Sequence, residues 1–301
     1  MRGLTISRQR TATSQRAILD EQRALRRERL RSNPGLMIGL GGMAVLVLAA
    51  VLIPALSGVD PNAMAVSSRL QAPSAANLFG TDEYGRDLFI RTLYGARVSL
   101  GVGGAVAVFS ALVGTVVGIY ASYFKVLDHI LMRICDGLIA IPGVLLAIAL
   151  MAALGPSMWN VVLALTIVYT PGVARVVRAG ALVTKQQPYV EAERVQGAGN
   201  GRILWKLILP SVFSHLMVQS SFVFAQAIIS EASLSFLGVG IPAPAASWGN
   251  ILQASKPVVS KAPWMVIFPG AAVILCVLCL NLLGDGLRDY FDPRTAKRGR
   301  R

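Results

Sequence analysis

An all-α membrane protein with six transmembrane helices is the fold class this sequence predicts, and two observations carry the prediction. Of 301 residues, 54% are hydrophobic and only 15% are charged, far more apolar surface than one soluble core of this length needs. The apolar residues are gathered into blocks of roughly twenty rather than into stripes of period 2 or 3.6, and a helix of about that length crosses the ~30 Å of hydrocarbon in a bilayer.

The first transmembrane helix is expected over residues 34–56, where the uncharged run Leu36 to Leu56 follows the cap-and-turn string Ser32-Asn33-Pro34-Gly35. Residues 57–97 contain Pro61, Pro73 and the charged string Gly-Thr-Asp-Glu-Tyr-Gly-Arg-Asp. They are too polar to cross and are expected to form an extracytoplasmic segment with a short interfacial helix. Residues 98–284 should hold five more helices. Val98 to Phe124 is one. The charge-free stretch from Gly137 to Ala174 is too long for one span, and Gly155-Pro156-Ser157 divides it into a tight hairpin of spans three and four. Span five runs from Pro210 to about Phe236, and span six from Pro263 to Gly284. Six crossings leave the tails, residues 1–33 and 285–301, on one side.

Lys and Arg flank spans preferentially on the cytoplasmic face. With this topology 23 of the 29 fall on the side of the tails and only six on the other. Both termini are therefore expected in the cytoplasm, and the +14 net charge needs no nucleic acid to explain it. The basic tail around Arg23 to Arg29 also suits anionic lipid. No signal peptide is expected, because thirty-odd polar residues precede the first apolar run and no small-residue cleavage pattern ends it.

Between spans four and five lies the polar stretch Glu191 to Pro210, EAERVQGAGNGRILWKLILP. Pro188 can seat a first helical turn, Glu191 and Glu193 favour the positive end of the helix dipole, and Gly197, Gly199 and Gly201 can end the helix sharply. A second short helix, Ile203 to Ile208, would lead to Pro210 at the membrane. The small residues Ala192, Gly197 and Ala198 would let another protein approach closely. A solvated connector is the plainer alternative, and physics alone leaves both open.

These residues carry a sharper likeness. Glu191-Ala192, Gly197 and Ile208-Leu209-Pro210 resemble the EAA motif of bacterial ABC importer permeases, with Glu193 where a third alanine is usual. Phe79 to Asp87 with Tyr94 to Leu100, Glu231 to Gly238 with Ser247 to Asn250, and Gly284 to Asp289 with Asp292-Pro293 are similar to the C-type subunit of dipeptide and oligopeptide permeases. The matches run in order from Phe79 to Pro293, and the N-terminal 33 residues lie outside them. The resemblance implies a type I ABC importer permease fold with a cytoplasmic coupling helix near residues 189–200. Glu191, Ala192, Glu193, Arg194, Gly197, Ala198, Leu209 and Pro210 would there dock an ATPase. It also implies a bacterial inner-membrane location, a second permease chain, two ATPase domains that bind the ATP and Mg, an extracytoplasmic solute-binding protein, and dipeptide, oligopeptide or nickel as substrate.

The residues themselves agree with a subunit rather than a complete engine. There is no Gly-x-x-x-x-Gly-Lys-Ser/Thr loop to cradle a nucleotide, and the two histidines, His129 and His215, form no catalytic arrangement with serine or aspartate. Neither a cofactor nor a metal is expected in this chain. Cys276 and Cys279 read as small side chains inside span six. A secondary transporter would need deep ion-coupling charges, internal repeats or discontinuous helices, and a membrane enzyme would need convergent catalytic groups. Asp136 is expected to pair locally with Arg133. Glu231 either faces the translocation path or ties neighbouring helices by hydrogen bonds. Gly114-x-x-x-Gly118 suits close helix packing, and Trp248 is either an interfacial anchor or a contact for the binding protein.

Overall fold

The computed structural model describes residues 33–291. The basic tail before Asn33 and Asp292-Pro293 lie outside the described residues. Nine helices account for most of the described chain: α1 Pro34–Ser57, α2 Leu88–Tyr123, α3 Lys125–Ala140, α4 Gly143–Leu154, α5 Met158–Lys185, α6 Pro188–Val195, α7 Asn200–Phe236, α8 Trp248–Ser255 and α9 Trp264–Phe291. Five of them (α1, α2, α5, α7 and α9) are long and apolar enough to cross a membrane, and the bent pair α3 and α4 makes a sixth candidate.

The departures from sequence expectation have local causes. The third span is not one straight helix from Gly137. Pro142 ends α3, and α4 leaves at 95° to it, because proline disfavours the helical conformation of the residue before it. Ile141 is accordingly extended, with φ −92° and ψ 129°. The second span begins at Leu88, ten residues before Val98, because Asp87 caps it by accepting the Ile90 N–H at 2.9 Å. The last span continues to Phe291, through residues read as a tail. Ile203 to Ile208 is no separate helix but a π-helical turn inside α7, with Leu209 N–H bonded to Leu204 O. Such a turn commonly accompanies a disturbed helical ladder, and here it immediately precedes Pro210, which has no N–H to offer.

The helices pack through small residues. A Cβ on Gly114 would lie 2.7 Å from Val173, and one on Gly118 would lie 2.6 Å from Ala174 O, so α2 and α5 touch at backbone distance. On α1, Gly39 and Gly42 face Cys279 of α9 in the same way. Pro54 leaves Ala50 without its helical donor. The Arg97 guanidinium from α2 takes that place, its Nε 2.5 Å from Ala50 O and its Nη2 2.7 Å from Val51 O. Thus a helix that is otherwise largely uncovered is fastened to the bundle at a carbonyl its own proline has freed.

Candidate coupling site

α6 stands between the end of α5 and the start of α7. Pro188 occupies its first turn and Val190 is its one buried side chain. Its far end is a Schellman cap: Gly197 N–H donates to Arg194 O and Ala198 N–H to Glu193 O, both at 3.0 Å, with Gly197 at φ +83°. Glycine is required there by the left-handed backbone and not by crowding, since no atom of the chain lies within 4 Å of the place a Cβ would take.

Around the cap the chain braces itself. Arg202 reaches back to Glu193, with Nε 3.2 Å from Oε2 and Nη2 3.3 Å from Oε1. The Tyr123 hydroxyl donates to Asn200 Oδ1 at 2.7 Å, and the Arg194 guanidinium lies 5.8 Å from the centroid of the same ring. Lys185 Nζ donates to Ser122 O and Tyr123 O at 3.2 and 3.3 Å, placing a cation at the negative end of α2. The segments on either side of α6, at Lys185 and Asn200, are therefore fixed to the end of a span that runs the length of the bundle, and α6 itself meets that end through Arg194.

The sequence-predicted residues fall into two groups. Glu191 to Ala198 form one compact element in which Glu191, Ala192, Arg194 and Gly197 are exposed, Glu193 is engaged by Arg202, and Ala198 packs on the core. Leu209 and Pro210 sit apart, on α7. A 3.3 Å hydrogen bond between the Tyr189 hydroxyl and Ser211 Oγ joins the two. Sequence reasoning missed Tyr123, Lys185, Asn200 and above all Val195, which is 88% exposed. An apolar residue three positions after Ala192 on a polar helix was the signal for it.

A neighbouring ion-pair pattern also differs from expectation. Asp136 pairs with Arg175 of α5 at 2.6 Å rather than with Arg133, and Asp128 accepts both Nε and Nη2 of Arg178 at 2.5 and 2.6 Å. α3 and α5 are joined twice, so tertiary packing outweighs the i, i+3 relation.

At the opposite end of α2, two buried carboxylates organise the long loops. Asp82 accepts the backbone N–H groups of Tyr84 and Arg86 at 2.9 and 3.0 Å, and its other oxygen lies 2.6 Å from Arg86 Nε and 3.5 Å from Arg91 Nε. Glu231 is fully buried. Trp248 N–H donates to Ser99 Oγ, which donates to Glu231 Oε2. Ile241 N–H donates to Ser235 Oγ, which donates to Glu231 Oε1. The hydrogen-bonded tie is thus the reading of Glu231 that the geometry contains. Trp248 is fully buried, its Nε1 donating to Thr92 O at 3.0 Å; it is neither an interfacial anchor nor an exposed contact.

Taken together, a helical bundle built to cross a membrane, with one short helix braced against the end of a span, defines a polytopic membrane protein carrying a rigid exposed element. The chain belongs to the family of binding-protein-dependent transport system inner membrane components, which matches residues 110–297. The N-terminal transmembrane domain of oligopeptide transport permease C matches residues 22–73, so the likeness reaches into the tail that the motifs had left outside it. Among relatives, a putative peptide transport system permease of Brucella suis is 47% identical over 94% of this chain and 93% of its own. A dipeptide transport system permease of Alkalihalophilus pseudofirmus is 40% identical over 89% and 88%, and an oligopeptide transport system permease of Bacillus subtilis is 37% identical over 89% and 88%. The inward-facing MetNI methionine ABC transporter shares the fold, with a TM-score of 0.52 at 18% identity, over 66% of this chain and 95% of that one. The chain is thus a permease component of the ABC importer type, with the type I permease fold.

Proposed function

We propose that this chain is one membrane half of a peptide importer, paired with a second permease chain, served by an extracytoplasmic solute-binding protein and driven by two ATPase domains that carry the ATP and Mg. Both tails and α6 face the cytoplasm, following the Lys and Arg distribution, and the two long loops face outward. The hydrolytic site belongs to the partner chains. Peptide is the substrate class because the relatives bearing that name share 37% to 48% identity over most of the chain.

The observation that carries the coupling role is Val195, an 88% exposed aliphatic side chain on a helix whose end is capped and whose base is tied to α2. Exposed apolar surface on a rigid element favours burial in a partner. Glu191, Ala192, Arg194 and Gly197 flank it, and Leu209-Pro210 joins the element to α7. When the ATPase pair closes, a force on α6 passes to α2 through Tyr123 and Lys185 and to α7 through Ser211.

Val195→Asp tests this more cleanly than a change at Gly197, whose left-handed backbone penalises any side chain. The variant should insert in the membrane normally, yet lose ATP hydrolysis stimulated by the loaded binding protein when the importer is reconstituted with it. Stimulated hydrolysis at the wild-type rate would remove α6 as the coupling element. Vesicles holding this chain alone under a proton or sodium gradient test the wider reading: concentrative peptide uptake there, without ATP, would establish a secondary transporter instead.

A further inference from the structure

On α7, His215, Gln219, Gln226, Ser230 and Ser233 follow one another at spacings of four, seven, four and three. At 100° per residue these five lie within an arc of about 60°, and at 1.5 Å per residue they extend over about 27 Å, close to the thickness of the hydrocarbon. None of them is buried by this chain. Glu231 and Ser235 point elsewhere and are consumed by the tie to the loops, so the helix is polar on two faces and only that one is buried. Tyr169 of α5 flanks the other face, its hydroxyl hydrogen-bonded to Ser230 Oγ at 2.7 Å and to Gln226 O at 3.2 Å. Among the described residues the carboxamides of Gln219 and Gln226 have no hydrogen-bond partner.

An exposed face suited to lipid looks different in the same molecule. α9 presents Ile267, Ile274 and Leu278 outward, 60%, 67% and 51% exposed, at the same helical spacing and without a polar atom. Unpaired carboxamides in hydrocarbon are costly, and polar side chains within spans face a bundle interior or a wet cavity. Beyond the His215 imidazole at one end, the stripe carries amides and hydroxyls with no Asp, Glu, Lys or Arg. From Gln219 to Ser233 it can exchange hydrogen bonds with N–H and C=O groups and has no fixed charge with which to select among side chains.

We propose that this stripe is the wall this chain contributes to the translocation path, and that its occupant is the peptide backbone, recognised through Gln219, Gln226 and the hydroxyls of Ser230 and Ser233. The occupant rests on the peptide-importer reading above; the wall rests on the stripe.

The test uses the complete assembly in vesicles, with Cys135, Cys276 and Cys279 replaced by alanine and single cysteines introduced as Gln226→Cys, Ser233→Cys or Ile274→Cys. A small anionic thiosulfonate reacts with thiolates in water and not with thiols in lipid, so positions 226 and 233 should react at least about tenfold faster than 274. Their rates should change between the nucleotide-free and ATP-trapped states and fall when peptide is added. Rates equal to that at 274 in both states would place the stripe against lipid. A disulfide to the second permease that forms in every nucleotide state, whether or not peptide is present, would make it a subunit contact. Either result overturns the proposal. Separately, Gln226→Leu should reduce uptake severalfold in an assembly that forms normally, and Gln226→Asn should recover part of it. Peptide uptake by the unlabelled assembly judges the importer reading. If another solute is carried and protects 226 and 233 where peptide does not, the backbone assignment falls while the wall stands.

Discussion

At the loop end of the bundle, Asp82 and Glu231 are buried and every oxygen on them is engaged. At the coupling end, Glu193 and Arg202 pair at the surface and Val195 is left exposed. Both ends are polar and both are joined to α2, yet they use polarity differently. Buried, fully paired carboxylates specify one arrangement of loops and make any other expensive. Exposed pairs cost little to make or break, so the coupling end owes its shape to Pro188, the glycine cap and the Tyr123 contacts. The difference implies that substitutions at the loop end are felt as lost stability, and those at the coupling end mainly as lost communication.

Asp82→Ala should have the largest effect. It leaves the Arg86 and Arg91 guanidinium groups without their carboxylate in a site where both are nearly buried, and removing one partner of such a pair costs about 3–5 kcal/mol. Thermal unfolding of the detergent-solubilised chain should report it. Asp82→Asn, which keeps an acceptor for the Tyr84 and Arg86 N–H groups, should fall between. An unchanged midpoint for the alanine variant would show that the loop is held by other contacts, among them the Phe79 ring stacked 3.9 Å from Phe268.

Glu231→Ala comes next, at about 1–3 kcal/mol, the cost of leaving buried hydroxyls without an acceptor. Its signature is positional. Protection of the Trp248 and Ile241 amides from hydrogen exchange should drop together, because both reach the carboxylate through a serine. If the two amides stay protected, the serines hold the loop without help from Glu231. Glu231→Gln should keep part of the protection.

Much of this was legible in the sequence, and what was not has a common cause. Span number, the break at Gly155-Pro156-Ser157, the Gly114 and Gly118 packing face and the short helix after Pro188 follow from hydropathy, glycine and proline, which act locally. The bend at Pro142 was open to the same reasoning but was hidden because Gly137 to Ala174 contains no charge, so hydropathy alone ran through it. The Asp136 partner, the burial of Trp248 and the Ser99 arm of Glu231 depend on residues 39 to 149 positions apart, and no periodicity encodes such distances. At the coupling site the turn chemistry of Gly197 was readable, whereas the bracing by Tyr123 and Lys185 from another span was not.

Gly197→Ala should cost about 1 kcal/mol, the penalty for a Cβ in the left-handed region. Gly199→Ala is its control, since Gly199 has φ −67° and open space around it. Faster proteolysis within residues 195–200 of the Gly197 variant alone would sharpen the comparison by locating the coupling end's order in its backbone. Equal behaviour of the two variants would instead attribute that order to side-chain contacts.

Arg202→Ala should have the smallest effect of all. The Arg202 side chain is 61% exposed and that of Glu193 is 29% exposed, and pairs of this kind contribute about 0–1 kcal/mol, screened further by salt. Arg202 precedes the π-helical turn and bends back to α6, so its loss frees a side chain but leaves the Schellman cap, the Lys185 contacts and the Tyr123–Asn200 hydrogen bond in place. The thermal midpoint should barely move, and the small difference should vanish in high salt. A loss comparable to that of Asp82→Ala would mean that the Glu193 pair bears structural weight despite its exposure, and the contrast between the two ends would then have to be drawn from burial alone rather than from how each end is held.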